Sequence, residues 1–498
     1  MADMIFKAEG FVNTEEPENY VCELTFQLEK DTDTLCFEFY GEGKPIYFNV
    51  KDPGGLVRVQ QMGTRSKRFA FLDINEQISG SGTCPGKIQK GEWKIIAFAF
   101  GARTTSRLGK VNFAVKVFDM GTDDSLIRDL DWMRPPSGDI VSWLDRNELE
   151  KGKIVLKDFE SPEPVKTGSK WLKGDFHAHT FVSDGSASPQ ELLDEGFLKK
   201  LDFFFITEHG ILTTGFPEKK GINVFPGYEV TTALGHFNVL GLKSFPEDIL
   251  YKGPSPDLEY IEKMISGMKK RGALISINHP FFNPWQWIYN GLSLALIDSI
   301  EIVTDPNDVK IGDTNETAIR MIDLLWNEGY RITGIGGSDS HTAFSESQLG
   351  QPLTEVYAVK GSLNSLLEGV KRQRAAIYLD TDCRIRCGLE GKEIIPGTEI
   401  KTGDDINLVI SAEAPDESEP LLLRIVENGS VTGEHEIVPG NMTTVEKKWS
   451  AKSDWIRCEL RDKYGRIRGF INPIYRGRRS IRSKSIKSWG DAVKLLGV

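Results

Sequence analysis

The sequence predicts a multidomain protein in which a central α/β domain, with a parallel sheet or barrel, is flanked by an N-terminal and a C-terminal β-sandwich. The 498 residues are enough for two to four domains with substantial cores. Strand-like and helix-like segments alternate only over residues 171–380, and repeated βα units of this kind build parallel sheets. Six of the seven histidines fall between residues 177 and 341, so the chemistry is expected in the same region.

Residues 1–148 are predicted to form an accessory β-sandwich, because short segments rich in β-branched and aromatic residues alternate with Gly, Pro, Asp and Asn. Two interpretations of this domain stay open. It binds a ligand or shapes the mouth of an active site, or it is a packing module through which the chain forms a homo-oligomer. The expected strands are Tyr20–Phe26, Thr34–Phe39, Pro45–Val50, Arg68–Leu72, Glu92–Phe100 and Val111–Phe118.

Residues 149–170 are charged and contain Pro162 and Pro164, a composition typical of a linker. The central domain follows over residues 171–380. Its clearest helix signal is Ser188-Pro189-Gln190-Glu191, with a Ser N-cap, a Pro at the first helical position and a Glu three residues after the cap. The expected strands are Phe203–Thr207, Asn223–Phe225, Phe237–Leu242, Ala273–Ile277, Ser299–Val303 and Tyr330–Ile335, with a turn at Pro226-Gly227. The expected helices are Ser188 to about Lys200, Asp257–Lys270 with Ser255 as its cap, Thr314–Glu328 and Ser362–Arg372.

Residues 381–475 return to short β segments, which predict a smaller sandwich of immunoglobulin-like type. Residues 476–498 form a basic tail, with six Lys or Arg between Arg476 and Lys487. The tail is interpreted as solvated surface, with contact to an acidic partner or a phosphate as the alternative. The expected strands are Arg384–Leu389, Asp405–Ser411, Pro420–Val426, Trp455–Arg461 and Arg468–Ile471.

The composition excludes several classes of partner. The net charge of −11 gives no reason to expect nucleic-acid binding, and no apolar run approaches the roughly 18 residues of a membrane span. The first residues show no signal-peptide pattern and the six Cys are scattered, so we expect reduced thiols and a cytoplasmic location. The expected partner is a small-molecule substrate. The spacing of Cys383 and Cys387 favours two buried thiols over a metal site.

The stretch from Gly174 to Gly210 contains the strongest signal for a functional site in the sequence. His177 and His179 lie two residues apart at the end of an apolar segment, so a strand would place both imidazoles on one face. After the predicted helix, a second apolar segment ends in Glu208-His209. Two successive strands thus deliver histidines at their carboxyl ends, where α/β folds place active sites. Glu208 would point to the opposite face and is expected to be structural.

Other histidines and acidic residues also lie at or just beyond the ends of apolar runs. Imidazoles and carboxylates without Cys suit Zn, Mn or Fe. Nine donors exceed the need of one ion, so two or three divalent metal ions are expected, with Glu229 as a bridge between them. The nine predicted metal-binding residues are His177, His179, Asp184, His209, Glu229, His236, His279, Asp339 and His341.

Less specific interpretations apply to several of these positions. A single His at a strand end is usually a structural residue, and only the joint pattern favours a metal centre. Glu229 and His236 could instead support other ligands from behind, and the role of Glu301 on its predicted strand is open. The aromatic run from Phe281 to Trp287 fits a substrate wall or core packing equally well.

The motifs resemble those of a known family. His-Ala-His-Thr…Ser-Asp-Gly, Ile-Thr-Glu-His, Pro-Gly-Tyr-Glu, Asn-His-Pro and Gly-Ser-Asp-Ser-His follow one another over about 175–345 in the order found in PHP (polymerase and histidinol phosphatase) domains. The resemblance implies a distorted (β/α)7 barrel with up to three metal ions at the strand C-termini. The layout of a PHP domain between two β domains is similar to the branch of the family related to carbaryl hydrolase.

The resemblance also implies which residues share a metal ion. Glu208 stands where the family often has Asp, and the family varies at the position of His236, which leaves the second ligand set open. By motif position, the first set is His177, His179, Glu229 and Asp339, the second is Glu229, His279 and His236, and the third is Asp184, His209 and His341.

The predicted activity is hydrolysis of a small phosphate mono- or diester through a metal-bridging hydroxide. Asp339 would orient the nucleophile, and His341 or His209 would protonate the leaving group. Two alternatives stay open: a carbamate, ester or amide hydrolase that uses the same centre, and a non-catalytic glycan- or protein-binding protein with a degenerate PHP core. A phosphatase also needs cations near the metals, and the candidates are Arg320, Arg331 and Lys310.

Overall fold

The computed structural model of the chain describes residues 3–13, 15–16, 19–42, 45–99, 109–121, 140–160, 168–246, 255–304, 312–345, 348–379, 382–401, 403–416, 419–477, 481–482 and 485–498. These residues form a multidomain, strand-rich protein with six α-helices. Among them, no helix combines the length and the apolar character that a membrane crossing requires.

The N-terminal strands form two four-stranded antiparallel sheets, ordered β1-β8-β3-β6 and β2-β7-β4-β5. The sheets face each other across an aromatic core, in which the rings of Phe39 and Phe48 lie 4.6 Å apart. The six expected strands are present, and β1 and β5 were not predicted. The strands are β1 Asp3–Asn13, β2 Val21–Leu28, β3 Thr34–Gly41, β4 Ile46–Lys51, β5 Val57–Gly63, β6 Arg68–Asp73, β7 Gly91–Ala99 and β8 Lys110–Asp119.

The predicted linker is wrong for residues 149–160, which pack against the central part of the chain. Leu156 is buried, and its N–H donates to the carbonyl of Lys243 at 2.8 Å. Glu160 forms a β-bridge with Ser362. The charged composition was misleading because a few apolar side chains anchor a segment whose charged side chains face solvent. Residues 161–167 lie outside the described residues.

Seven central strands follow one another in a single sheet, in the order β10-β11-β13-β14-β15-β16-β17. The sheet is mixed rather than parallel, because β14 runs antiparallel to both of its neighbours. Pro226-Gly227 is not the predicted turn but continues a strand. The strands are β10 Lys170–Asp175, β11 Phe203–Ile206, β13 Asn223–Thr232, β14 Gly235–Leu240, β15 Leu274–Ile277, β16 Ser299–Thr304 and β17 Thr333–Gly337, with the short pair β9 Ile140–Ser142 and β12 Gly215–Pro217 beside them.

The two ends of this sheet meet beyond β10 and β17. Ala178 and Ser340 form an isolated parallel bridge, in which the His179 N–H donates to the Ser340 carbonyl at 2.9 Å. Within the described residues this bridge does not extend to a ladder between β10 and β17, which would close a barrel. The sheet continues on the other side of β10 through β18 Leu353–Ala358 and β19 Ala375–Tyr378, two strands that were not predicted.

The helices largely match the sequence signals. Ser188 and Glu191 form the predicted capping box at the first central helix. The cap of the next helix is Asp257, whose side chain accepts from the Tyr260 N–H, and not the predicted Ser255. The helices are α1 Arg146–Leu149, α2 Pro189–Leu198, α3 Leu258–Lys270, α4 Gly312–Asn327, α5 Leu363–Lys371 and α6 Trp489–Leu496, with a 3₁₀ turn at Leu294–Leu296.

The C-terminal strands form two sheets around a second core. One has the order β21-β20-β23-β26, and the other, β28-β27-β24-β25, is continuous with the central sheet because β19 pairs with β28. The six cysteines form no disulfide in the described part of the chain, and Cys383 and Cys387 are buried as predicted. The strands are β20 Arg384–Leu389, β21 Lys392–Ile394, β22 Glu399–Ile400, β23 Ile406–Glu413, β24 Leu421–Glu427, β25 Ser430–Ile437, β26 Thr443–Trp449, β27 Trp455–Arg461, β28 Ile467–Ile471 and β29 Ile474–Arg476.

The predicted solvated tail is wrong for its last part, which folds onto the central region. Trp489, the first residue of α6, is fully buried, and its ring lies 5.9 Å from that of Phe281. Earlier in the segment, Arg482 pairs with Asp454 at 2.7 Å. The prediction failed because it rested on the basic composition of the tail and gave no weight to Trp489, whose burial fixes the segment to the central region. Residues 478–480 and 483–484 lie outside the described residues.

Candidate metal centre

All nine predicted metal-binding residues converge at one edge of the central sheet. Buried Asp175 aligns the strand ends there, since its carboxylate accepts the N–H groups of His177 and Ser338 at 3.1 Å and of Gly350 at 2.6 Å. The donors come from many elements: His177 and His179 follow β10, Asp184 precedes α2, His209 follows β11, Glu229 lies in β13, His236 in β14, His279 follows β15, and Asp339 and His341 follow β17.

The first cluster contains His177, His179 and Asp339, whose donor atoms lie within 4.8 Å of one another. The Nε2 atoms of the two imidazoles are 3.2 and 3.1 Å from Asp339 Oδ1. They are also 3.3 and 3.4 Å from Glu229 Oε2. These four residues are the predicted first ligand set.

The second cluster surrounds Asp184 at the more open side of the centre. Asp184 Oδ1 lies 3.5 Å from His209 Nε2 and 3.3 Å from His341 Nε2. His179 also belongs to this cluster, and its ring stacks on that of His209 with centroids 4.3 Å apart. The cluster therefore contains the predicted third set and one residue of the first.

Glu229 connects the clusters, as its predicted bridging role requires. Its Oε2 lies 2.8 Å from His209 Nδ1, and its Oε1 lies 3.1 Å from His236 Nδ1. These three residues form the third cluster. His279 is more distant, with Nε2 at 3.8 Å from Glu229 Oε1. His209, predicted to belong to the third set, therefore lies closer to Glu229 than His279 of the second set does. The assignment of ligands to individual ions stays a prediction.

Glu301 supports the centre from behind, a role that the sequence left open. One of its oxygens lies 2.8 Å from His177 Nδ1, and the other accepts the His279 N–H at 3.0 Å. Burial works to lower the pKa of His177, but Glu301, with two further carboxylates, raises it well above its usual value. Gly337 makes this contact possible, because a Cβ there would lie 2.5 Å from a Glu301 oxygen.

Two further supporting residues were missed or given little weight by the sequence. Asn278 donates to Glu229 Oε1 at 2.8 Å and so fixes the central carboxylate. Glu208, predicted to be structural, accepts from the backbone N–H and hydroxyl groups of Thr180 and Ser183. It therefore holds the turn that leads to Asp184.

Two residues of the centre adopt left-handed backbone conformations. The φ angles of His279 and Asp339 are 28° and 52°. Such conformations cost non-glycine residues about 1–3 kcal/mol and concentrate at functional sites. Each residue is the second one after the end of a strand, and the strained backbone there turns its side chain toward the other donors.

The carboxylates of the centre are held in their ionised form. Burial works to raise the pKa of Glu229, but the surrounding imidazoles, His209 first, lower it well below its usual range. The pKa values of Asp339 and Asp184 are lowered against burial in the same way, chiefly by His177 and by His209 respectively. The centre thus presents ionised carboxylate oxygens as ligands for a cation.

The imidazoles divide into neutral and protonated groups. Burial, together with His209 and His341, lowers the pKa of His179 to about 3, and burial lowers that of His236 to about 4. Both rings are therefore neutral near pH 7 and keep a lone pair for a metal. Burial works to lower the pKa of His341 as well, but two neighbouring carboxylates raise it to about 10.

The donor atoms fit divalent metal ions. Within the described part of the chain, His177 Nε2, His236 Nε2, Asp184 Oδ1 and Glu229 Oε2 are buried and make no hydrogen bond. Buried polar atoms of this kind are normally satisfied, and metal coordination would satisfy all four. A set of imidazoles and carboxylates without sulfur suits Zn, Mn or Fe.

The aromatic run after His279 was predicted to form either a substrate wall or part of the core, and its residues do not all take the same role. Trp287 belongs to the core, where it packs on Phe237 with ring centroids 5.8 Å apart. Phe282 stands edge-on to the His279 ring at 6.2 Å and packs on Trp285 at 5.3 Å. Both Phe282 and Trp285 are partly exposed, so they can contact a substrate at the centre.

Neither of the two described cations that were predicted to bind phosphate lies at the centre. Arg331 pairs with Glu399 at 2.6 Å and lies over the Tyr475 ring. Arg320 is exposed on α4. Lys310 lies outside the described residues.

Comparisons with known proteins give only weak likenesses. No protein-family model and no curated protein matches the chain. One similar solved structure is a two-domain protein from Bacteroides vulgatus that contains a predicted PHP-like metal-dependent phosphoesterase; the identity is 19%, the match covers 64% of this chain and 99% of that one, and the TM-score is 0.35.

Two other solved structures match shorter parts of the chain. An amidohydrolase from Chromobacterium violaceum, solved with sulfate and no metal, shows 13% identity over 34% of this chain and 88% of its own, with a TM-score of 0.22. PliG, a periplasmic inhibitor of g-type lysozyme from Salmonella Typhimurium, shows 11% identity over 22% and 84%, with a TM-score of 0.14. At such scores the likenesses carry no weight for the function.

Proposed function

We propose that the chain is a metal-dependent hydrolase that cleaves a small phosphate mono- or diester. The observation that carries the proposal is the convergence of nine imidazole and carboxylate side chains, among them buried donor atoms that make no hydrogen bond within the described residues. When bound, divalent ions supply Lewis acidity toward a water molecule and a phosphoryl oxygen. His177, His179, Glu229 and Asp339 would hold one ion, and the other five donors, alone or together with Glu229, would hold one or two more.

The chain's own residues would position the reactants. Asp339 is partly exposed, with 25% of its side chain accessible, and its ionised carboxylate can accept a hydrogen bond from the attacking water. Glu229, fully buried and fixed by Asn278, would hold the donors on either side at a constant separation. Such preorganisation lets the site stabilise developing charge without rearrangement.

His341 is the better of the two predicted proton donors. Its side chain is 36% exposed, compared with 6% for His209, so a leaving group can reach it. Where the ring does not hold an ion, burial works to lower its pKa but the neighbouring carboxylates raise it to about 10, so it carries a proton near pH 7. His209 lies with Nδ1 at 2.7 Å from Thr231 Oγ1 and 2.8 Å from Glu229, which favours a positioning role.

A second candidate function is hydrolysis of a carbamate, ester or amide at the same centre. The observation that favours it is the partly exposed aromatic pair Phe282 and Trp285 beside His279. Such a pair would bind an apolar acyl or aryl group by burying it against the rings.

The fold and family form part of the same proposal. The strand order, with the Ala178–Ser340 bridge between its two ends, supports a distorted and incompletely closed barrel of PHP type. The five motifs contribute the donors in the order expected of that domain. The predicted branch related to carbaryl hydrolase rested on the domain layout alone, so the proposal names only the PHP type for the central domain.

The first experiment measures metal content and hydrolysis together. The purified protein should contain two or three equivalents of Zn, Mn or Fe by inductively coupled plasma mass spectrometry. It should hydrolyse p-nitrophenyl phosphate or bis(p-nitrophenyl) phosphate faster than p-nitrophenyl acetate or an aryl carbamate. The reverse preference would favour the second candidate.

The matched variants are His177→Ala with His179→Ala, and His435→Ala. His435 is the one histidine outside the centre, on β25. The double variant should lose bound metal and activity, and His435→Ala should keep both. A wild-type protein that binds no metal after reconstitution would refute the proposal and favour the non-catalytic binding protein.

A further inference from the structure

The N-terminal sandwich is attached to the loop that carries Asp184. Strand β5 is fully buried, and its Gln61 Nε2 donates to the carbonyls of Phe181 and Val182, both at 2.9 Å. The Met62 N–H donates to the Val182 carbonyl at 3.0 Å. These bonds join the sandwich to the rim of the centre, so side chains next to β5 have fixed positions relative to the donors.

Arg68, the first residue of β6, extends from the sandwich to this same loop. Its Nη2 donates to the Gly185 carbonyl at 2.9 Å, directly after Asp184 in the chain. Its Nε is buried but makes no hydrogen bond to any described residue. Burial lowers the pKa of Arg68, while the carboxylates of Asp184 and Glu208 oppose that shift, which shows that their charges act on the guanidinium.

We propose that Arg68 is the anion-binding residue of the centre and that it holds a phosphoryl oxygen of the substrate. This inference rests on the proposed hydrolase function, and it narrows the substrate to a phosphate ester rather than a neutral ester or carbamate. It also gives the N-terminal sandwich a direct part in substrate recognition.

The chemistry of the guanidinium supports this role. Arginine keeps its charge at any pH relevant to proteins, and its planar donors match two oxygens of a phosphate. One donor of Arg68 fixes the group to Gly185, and the other guanidinium N–H groups make no hydrogen bond to a described residue. A phosphate oxygen held by the nitrogens that are open to substrate would form a charge-assisted hydrogen bond, which is stronger than one between neutral groups.

Neither of the other two described candidate cations, Arg331 and Arg320, occupies this position. Arg331 is engaged with Glu399 and Tyr475, and Arg320 is exposed on α4. The sequence could not identify Arg68, because 117 residues separate it from the glycine that it contacts.

The test compares Arg68→Met and Arg68→Lys with the neighbouring Lys67→Met. Lys67 has the same charge but is 56% exposed and pairs with Glu38 on the sandwich surface. Calorimetric titration of the metal-loaded proteins with inorganic phosphate should show a dissociation constant about 10- to 100-fold higher for Arg68→Met, the effect of one charge-assisted hydrogen bond. Arg68→Lys should lie between this variant and the wild type, and Lys67→Met should match the wild type.

Kinetics separate anion binding from a structural role. In Arg68→Met the KM for p-nitrophenyl phosphate should rise by the same factor as the phosphate dissociation constant. Metal content and the kcat/KM for p-nitrophenyl acetate should not change. Equal losses for the charged and the neutral substrate, or loss of metal, would mean that Arg68 only clamps the Gly185 loop, and the inference would be overturned.

The phosphate titration needs no turnover, so it separates this inference from the proposed function. If the wild type hydrolyses none of the esters but binds phosphate through Arg68, the hydrolase proposal fails and the anion site stands. If phosphate esters are hydrolysed and Arg68→Met binds phosphate as the wild type does, the anion site fails alone. A wild type that binds no phosphate also overturns it. Should Arg68→Met not fold, the phosphate affinity of Arg68→Lys decides.

Discussion

Replacing Glu301 with glutamine should weaken metal binding while keeping the shape of the side chain. Glu301 accepts hydrogen bonds on both oxygens, with the His177 ring nitrogen at 2.8 Å and the His279 N–H at 3.0 Å. A glutamine amide has only one oxygen, so its NH₂ must face one of these two groups. If it faces His177, Nδ1 must accept and the ring proton moves to Nε2. Nε2 is the nitrogen that lies near Glu229 and Asp339.

The expected loss follows from this exchange of tautomers. Residues that orient metal-binding histidines typically contribute 10- to 100-fold to metal affinity. At about 1.4 kcal/mol for each factor of ten, Glu301→Gln should cost about 1.4–2.8 kcal/mol of binding free energy. Competition with a chromogenic chelator measures this loss as a shift in the concentration that removes half of the bound metal.

A second buried glutamate supplies the control. Glu355 on β18 is 2% exposed and pairs with Arg386 at 2.7 Å, away from the centre. Glu355→Gln also removes a buried charge, so it should lower stability but leave metal affinity as in the wild type. Equal metal affinity in Glu301→Gln and the wild type would refute the role of Glu301 in orienting His177.

Two further predictions concern a buried ionic network between α4 and β27. Asp323 accepts two hydrogen bonds of 2.7 Å from Arg457, so Asp323→Ala should lower the free energy of unfolding by about 3 kcal/mol. Urea denaturation should show this as a lower midpoint. As a control, Glu419→Ala, which removes a surface ion pair with Lys463, should cost under about 1 kcal/mol. Burial works to raise the pKa of Glu459, but Arg457 and Arg461 outweigh it and lower the pKa to about 2 in the folded state. In acid the unfolded state therefore binds more protons than the folded state. The stability difference between wild type and Glu459→Gln should be constant above about pH 4.5 and shrink as pH falls toward 2; a difference independent of pH would contradict the assignment.

Local signals were the most predictable part of the chain. The capping box of Ser188 and Glu191 depends on residues three apart, and the structure contains it as predicted. Strands β20 and β27 have the predicted bounds, because alternation and turn residues define them locally. The donors of the centre were also found from local context, since a strand end is visible in the sequence.

Features that depend on contacts between distant segments were not predictable. Glu301 and His177 are 124 residues apart, and only the sheet order brings them together. The antiparallel direction of β14 follows from a tight hairpin after β13, whereas the βα pattern suggested a parallel sheet. Trp489 was hidden among basic residues, although its burial fixes the end of the chain to the central region.

The position of Glu301 predicts that Glu301→Gln affects the metal ions unequally. Its contact with His177 controls a ring nitrogen that faces the first cluster, whereas its contact with His279 involves only the backbone N–H. The His279 ring can therefore keep either tautomer. In Glu301→Gln, the metal affinity that depends on His279 would fall only because its backbone is less firmly oriented. A stepwise metal titration should show one class of site weakened about 10- to 100-fold and the others much less affected. Equal weakening of every class would mean that Glu301 acts on the whole centre through its fold and not through the proton on His177.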